Sequence, residues 1–530
     1  MSLSTICTVL KASPFASALL SLTMELLPLI AQVGQGIRTF QTGFITPAAA
    51  YAFEVELERL LREIGRVILQ AVFNGLEPED CEKAAPSLDF DDNVFRRRGR
   101  SPRRQGIGTR FGTITLERIR YEPCDADLGL TSLFPLEMRL GIVSGKATLA
   151  LADRLGQWTA QHTQETVQRL LHEEHRVSWS VTTIRKIMTD LSAELAPLTY
   201  QAQVEHLLHL LQQAHDSKGP HRPVLTVGRD GIFVPLRKDT KYREAATATV
   251  AVLDRNGRRL GTVYLGHMPE PGQGTLSLQL TALLRAVLND WQGPLPRLQY
   301  VTDGGHHPSE YFATVLQTML HPRSGKPLEW EWVVDYYHAC LYVTKLAEAL
   351  FGKETKEAAS WAAKMRRWLK EKKSGILRVL HSAAAHAWRL EFTPAEQKAY
   401  DDAYQYLQTR MGYMDYWSCR RRGLVIGSGI TEAACKTLFT QRFKQSGMKW
   451  SLEGGQVVVD LRVIWISKLW RNVFETYVKR PSQAEGRTKS VFYNRCFTLV
   501  ALQFFVANRR DIRWIMLMWI IVSLDSMVRS

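Results

Sequence analysis

Paired cysteines are missing from this chain. Its seven cysteines, Cys7, Cys81, Cys124, Cys340, Cys419, Cys435 and Cys496, are odd in number, scattered, and include no Cys-x-x-Cys pair. That argues against a disulfide framework and a thiolate zinc site, and it fits a reducing cytoplasm. Long hydrophobic runs are missing too. The apolar stretch from Phe15 to Val33 is broken by Glu25 and preceded by Lys11 as its only basic residue, so it does not read as an export signal. Trp514 to Leu524 is strongly apolar but about half as long as a membrane-crossing helix must be. Acidic residues are in short supply: 52 Asp and Glu face 68 Lys and Arg, a net charge of +16. An excess of this size favours a polyanionic partner, either nucleic acid or an anionic membrane surface, and solubility alone needs far less.

With 530 residues, 45% of them hydrophobic, the chain has enough length for about two to four domains with substantial cores. Residues 1–95 read as mostly helical, and YAFEVELERLLREIGRVILQAVF, from Tyr51 to Phe73, carries apolar residues at three- and four-residue spacing. RRRGRSPRRQG follows, in which Arg96, Arg97, Arg98, Arg100, Arg103 and Arg104 surround Gly99 and Pro102. A regular helix is excluded there. The segment reads as a flexible basic arm suited to phosphate contacts, or as a solvated charge block. Residues 96–215 together form a candidate DNA-binding region. Within it Thr163 to Leu171 and a helix capped by Ser180 and bearing Arg185 and Lys186 suggest a helix-turn-helix, although short helix pairs are common in any all-helical domain.

The texture changes after SKGPHRP. VLTVGRDGIFVPL and ATATVAVLDRNGRRLGTVYLG predict three strands broken by turns at Asp-Gly and Asn-Gly, the last two a hairpin through Asn256-Gly257. A helix with Leu276, Leu280, Leu283, Leu284, Val287 and Leu288 on one face comes next. The strand RLQYVTD, a helix from Pro308 to Leu320, the strand EWEWVVD and a helix from Tyr336 to Leu350 complete residues 216–352. This order predicts a mixed α/β sheet whose first and fourth strands lie parallel and adjacent. Residues 353–422 then read as an all-helical insertion, where Lys364, Arg366, Arg367, Lys370, Lys372 and Lys373 crowd beside Trp361 and Trp368. Such a face is ordinarily solvated, but basic residues interleaved with indoles also make a platform for DNA. Residues 423–475 contain GSGITEAACKTLFTQRFKQSGMKW, with Thr431 as a capping residue, and 476–530 form a tail without a legible role.

Asp230 is expected to close the first strand and Asp303 the fourth, so both carboxylates would meet at one sheet edge, with Glu432 brought there by a later helix. Taken singly, Asp-Gly pairs are turn formers and an acidic residue in a first helical turn suits the helix dipole. Taken together, three carboxylates repel one another unless cations neutralise them, and hard oxygen ligands suit Mg2+ or Mn2+ in a two-metal site for phosphodiester chemistry.

As an ordered set these segments resemble the DDE transposases of bacterial insertion sequences, and within them the ISKra-type group. The similar stretches are TVGRDGIFVPLR, ATVAVLDRNGRRLGTVYLGHMPEPGQGTL, YVTDGGHHPSEYF, VVDYYHACLYVTKLAEALFG, RRRGLVIGSGITEAACKTLFTQRFKQSGMKW and GGQVVVDLRV, spanning about residues 224–475. The resemblance implies a ribonuclease-H-like catalytic core interrupted by a helical insertion domain, with a largely helical DNA-binding region ahead of it. It implies Asp230, Asp303 and Glu432 as catalytic, metal-holding residues, and Asp335 and His338 as their support. The expected activity is metal-dependent cleavage at transposon ends and strand transfer into target DNA. Double-stranded DNA is the expected partner, and bringing two ends together points to a homodimer or larger assembly. Two alternatives stand beside this one: a DNA-binding relative without catalysis, and a glycoside hydrolase using a pair of carboxylates.

Overall fold

The computed structural model describes residues 16–480, apart from 79, 102–103 and 126–129. Arg103 and the apolar tail stretch from Trp514 to Leu524 lie outside the described residues. Among the described residues no helix is long and apolar enough to cross a membrane. The chain divides into two compact units, one drawn from residues 1–155 and 165–187 with the chain end after 477, the other from 156–164 and 188–477.

In the first unit, helices Ala16–Thr42 and Pro47–Asn74 pack on each other, with Phe40 and Phe53 stacked at 4.8 Å. The second begins where Thr46 accepts a hydrogen bond from the Ala49 amide and Pro47 supplies a preset first turn. Strands β1 (Ser87–Phe90), β2 (Asn93–Arg100) and β5 (Ile119–Pro123) form an antiparallel sheet, and β3 (Arg104–Thr109) pairs with β4 (Gly112–Leu116). The helical expectation for residues 1–95 therefore fails at β1 and β2.

The basic block is corrected as well. From Arg96 to Arg100 it is strand rather than flexible arm, bulged at Gly99, whose φ is +96°. Glutamates placed on neighbouring elements make this possible by balancing the charge: Arg97 pairs with Glu82, Arg98 with Glu122 at 2.9 Å, and Arg100 with Glu117. Arg96 remains exposed, with no ion pair among the described residues.

Helices Gln164–His175 and Val181–Asp216 occur where a helix pair was expected, and Ser180 caps the second by accepting from the Thr183 amide at 3.1 Å. That second helix runs for 36 residues, far longer than a recognition helix needs. Arg185 and Lys186 are exposed in its first turns.

The second unit is organised by one five-stranded mixed sheet in the order β10-β9-β6-β7-β8. β6 (Val224–Val234), β7 (Arg243–Leu253) and β8 (Arg259–His267) are antiparallel neighbours, whereas β9 (Arg297–Thr302) lies parallel to β6, and β10 (Trp330–Val334) parallel to β9. The β7–β8 turn is the expected one, with Gly257 at φ +76°. One face of the sheet packs against helix Gly274–Asp290, which buries all six apolar residues expected of it. Each contributes about 1.5–3 kcal/mol by leaving water. The other face packs against helix Tyr336–Phe351 and the insertion helices Lys356–Glu371, Gly375–Ala387, Pro394–Thr409 and Tyr416–Arg421. Strands covered on both faces read as nearly unbroken apolar runs, as VLTV and YVT do here.

Candidate active site at the sheet edge

Parallel pairing decides which residues can meet at the carboxyl edge. Gly228 of β6 is level with Val301 of β9, and Val334 of β10 is level with Thr302. Extending that register puts Asp230, within β6, level with Asp303 and Asp335, each the first residue after its strand. Asp230 does not end its strand, contrary to expectation: β6 continues to Val234, with Asp230 opposite Thr247 and Gly231 opposite Ala246. The glycine after Asp230 serves close approach, because a Cβ there would lie 1.7 Å from Glu244 Oε1.

Glu432 arrives on helix Gly429–Cys435, which lies against β6 and β7. Gly228 permits this contact, since a Cβ on it would sit 1.9 Å from Thr431 Oγ1. Thr431 is consequently not the cap it was taken for in the sequence. It is buried one turn inside the helix start, its hydroxyl 2.8 Å from that of Thr249. Ser428 occupies the cap position instead.

Asp335 and Ser428 couple these elements. Asp335 is fully buried; one of its oxygens accepts from the His338 amide at 2.9 Å, and the other accepts from both the amide and the hydroxyl of Ser428. The Ser428 hydroxyl also lies 2.8 Å from Glu432 Oε1. A chain of contacts thus runs from the end of β10 to Glu432, fixing the start of two helices as it goes. His338 contributes its backbone amide, and its half-buried ring stands 6.2 Å from that of Tyr406.

The environments of the three outer carboxylates differ. Asp230 is half-buried, accepts from the Gly231 amide at 2.8 Å, and lies 3.3 Å from the Cys435 thiol. Burial pushes its pKa up to about 6; the Cys435 and Gly231 hydrogen bonds pull it down, while the charges of Asp303 and Glu432 push it up further. Asp303 accepts from the Gly305 amide at 2.8 Å, and its backbone carbonyl accepts from the Tyr406 hydroxyl at 2.6 Å. Glu432 is exposed. Among the described residues none of the three has an ion-pair partner. Arg229, the nearest cation in sequence, is buried away from them, donating to Ser277 and Gln273 and stacking 4.6 Å from the Tyr311 ring.

Carboxylate oxygens are the donor type a hard divalent cation takes, although among the described residues these three do not form a group whose ligand atoms all lie within 4.8 Å of one another. Asp230 feels the charges of both Asp303 and Glu432, and no ion-pair partner among the described residues offsets them. Asp230, Asp303 and Glu432 would hold such an ion.

Sequence reasoning missed Ser428, Cys435, Tyr406 and Arg410. Arg410 grips the carbonyl of Gly304 through two nitrogens at 3.0 and 3.2 Å and covers the Tyr406 ring at 4.2 Å, tying the insertion to the loop that carries Asp303. The Gly-Ser-Gly turn was the only local signal for any of them.

The basic residues of the insertion divide. Arg367 is exposed, but Arg366 turns inward to the Thr344 hydroxyl and Lys370 lies 5.5 Å from the Tyr336 ring. Trp361 is buried with its indole nitrogen donating to Ser382, so it is a core residue and not part of a stacking platform. Arg366 is likewise corrected from surface contact to interior hydrogen bond, because it falls on the flank that faces helix Tyr336–Phe351.

The chain matches no family model and no curated protein.

Proposed function

We propose that the chain is a DNA transposase of the DDE type, with a ribonuclease-H-like core, that cleaves phosphodiester bonds at transposon ends and joins them to target DNA. The observation that supports this reading is that the β6–β9 register, extended by two residues, puts Asp230 level with Asp303, while the helix that carries Glu432 lies against β6. Magnesium or manganese bound there would polarise the phosphoryl oxygen, ease deprotonation of the attacking hydroxyl and neutralise the leaving oxygen. The protein's own part is positioning. Asp230 projects from β6, Asp303 follows directly on β9, Ser428 orients the Glu432 carboxylate, and Asp335 holds Ser428 in place.

The substrate class follows from charge. A chain of net charge +16 suits a DNA duplex, and Arg96, Lys186 and Arg367 are exposed cations available to phosphates. The five described cysteines are all free, in keeping with action beside DNA in a bacterial cytoplasm. Joining two ends calls for at least a homodimer.

The test is single-turnover cleavage of end DNA by Asp230→Asn, Asp303→Asn and Glu432→Gln proteins, with DNA binding measured alongside. Each variant should lose cleavage by about a thousandfold or more and retain affinity, since ligands of one site act as a unit. Cleavage near the wild-type rate in any one of them removes that residue from the site.

A further inference from the structure

We propose a second, chemically distinct metal site on the helical turn that follows Asp303, formed by His306, His307 and Glu310 and selective for a zinc-like divalent cation. One ligand atom from each of these residues lies within 4.8 Å of the others, and theirs is the group of this kind found among the described residues. The spacing explains the convergence: His306 and Glu310 are four apart and His307 and Glu310 three apart, so both rings share the helix face of one carboxylate.

Both Nδ1 atoms approach the same oxygen, Glu310 Oε2, at 3.9 and 4.0 Å. Those separations are too long for hydrogen bonds. Ligands bonded to zinc at about 2.0–2.1 Å with tetrahedral angles stand roughly 3.4 Å apart, and small torsional adjustments of exposed side chains close the difference. The two imidazole planes are at 88°, which keeps them from stacking and leaves each free to direct a nitrogen.

A second observation points the same way. His307 Nδ1 is shielded from solvent yet has no hydrogen-bond partner, an arrangement that leaves a polar atom unsatisfied until something binds it. Among the described residues Glu310 has only the two histidines within ion-pair distance, and the buried Arg229 guanidinium feels its charge from farther away. The turn itself is anchored, because the Ser309 hydroxyl donates to the Gly305 carbonyl at 2.7 Å and the Tyr311 hydroxyl meets that of Thr281 at 2.9 Å.

Two imidazoles and one carboxylate form a set of intermediate softness that prefers zinc, cobalt, nickel or copper to magnesium. The all-carboxylate edge has the opposite preference. Metal identity therefore separates the two sites, even though only two residues intervene between Asp303 and His306. Three protein ligands leave at least one position open to water or an exogenous oxygen.

The experiment is titration of the full chain with Co2+, followed by its visible absorption, and with Zn2+ in competition with a chromophoric chelator, both in excess Mg2+ and without DNA. One equivalent should bind, with affinity falling tenfold or more in His306→Ala, in His307→Ala and in Glu310→Gln, and unchanged in the Asp230→Asn, Asp303→Asn double variant. Absence of binding, or binding indifferent to all three substitutions, overturns the proposal. So does binding that disappears only in the aspartate variant. Circular dichroism on each variant separates lost ligation from lost folding, and Glu310→Gln, which keeps size and shape, is the variant least able to disturb the turn. Because cleavage is not measured, the outcome is independent of the proposed transposase activity.

Discussion

The sheet edge of the second unit and the arginine-rich strands of the first both concentrate one sign of charge, and they treat it in opposite ways. At β2 the arginines meet Glu82, Glu117 and Glu122, and the charge is balanced inside the fold. At the edge of β6 and β9, Asp230 feels the charges of Asp303 and Glu432, and none of the three has an ion-pair partner among the described residues. Balanced charge serves the structure that carries it. Unbalanced charge held on rigid elements costs stability, and such an arrangement is accounted for by a ligand that supplies the missing sign.

The largest test of this contrast is whether the edge residues act together. Combining Asp230→Asn with Asp303→Asn should reduce cleavage hardly more than either alone, because removing one ligand already disables the site. A double variant that loses the product of the two single losses would mean that the carboxylates work separately. Next in size is the contact chain behind them. Ser428→Ala and Asp335→Asn should each slow single-turnover cleavage by about 10–100-fold with DNA affinity unchanged, the usual cost of releasing an orienting partner. His338→Ala should slow cleavage with less loss of melting temperature than Asp335→Asn, since only its amide takes part in the cap. A fall in melting temperature with normal turnover would make His338 purely structural.

Stability offers a smaller effect with a definite sign. The folded-state pKa of Asp230 is raised to about 6 from 3.8, so its ionised form is disfavoured by folding. The penalty is absent below the unfolded value, grows as pH rises between the two, and is complete above the folded one. Without divalent cations, Asp230→Asn should therefore stabilise the protein by on the order of 2 kcal/mol at pH 7 and by little near pH 4. Added Mg2+ should erase the advantage. Equal stability at both pH values would show that the edge is not electrostatically loaded.

Smallest is the effect expected on the balanced side. Arg96→Gln should flatten the slope of log affinity against log salt by about 0.9 if Arg96 meets a duplex phosphate. Arg97→Gln should leave the slope nearly unchanged and lower the melting temperature, because Arg97 is committed to Glu82 and to the carbonyls of Cys81 and Ala84. The reverse outcome would break the comparison with which the two regions were contrasted.

Much of the second unit was legible in its residues. Alternation and turn chemistry gave β6, β7 and β8, the six apolar residues of Gly274–Asp290 gave its buried face, and the order of elements gave β9 beside β6. The same local rules misread Arg96 to Arg100 as a loose arm, because the glutamates that pair with Arg97, Arg98 and Arg100 stand on other elements. They misread Asp230-Gly231 as a turn for a related reason: Asp-Gly is indifferent between turn and strand until β7 offers it a ladder.

What the sequence determined alone is whatever depends on neighbours a few residues apart: the periodicity that makes strands and helices, the Asn256-Gly257 turn, the Asp335 and Ser180 caps, and the net positive charge. Only the tertiary structure decided that Ser428, a neighbour of Glu432, meets Asp335 across 93 residues, that Cys435 meets Asp230 across 205, and that Arg366 turns inward while Arg367 faces solvent. Hydrogen bonds and ion pairs act over a few ångströms of space with no regard to chain separation, so their partners are fixed only when packing brings distant segments into contact.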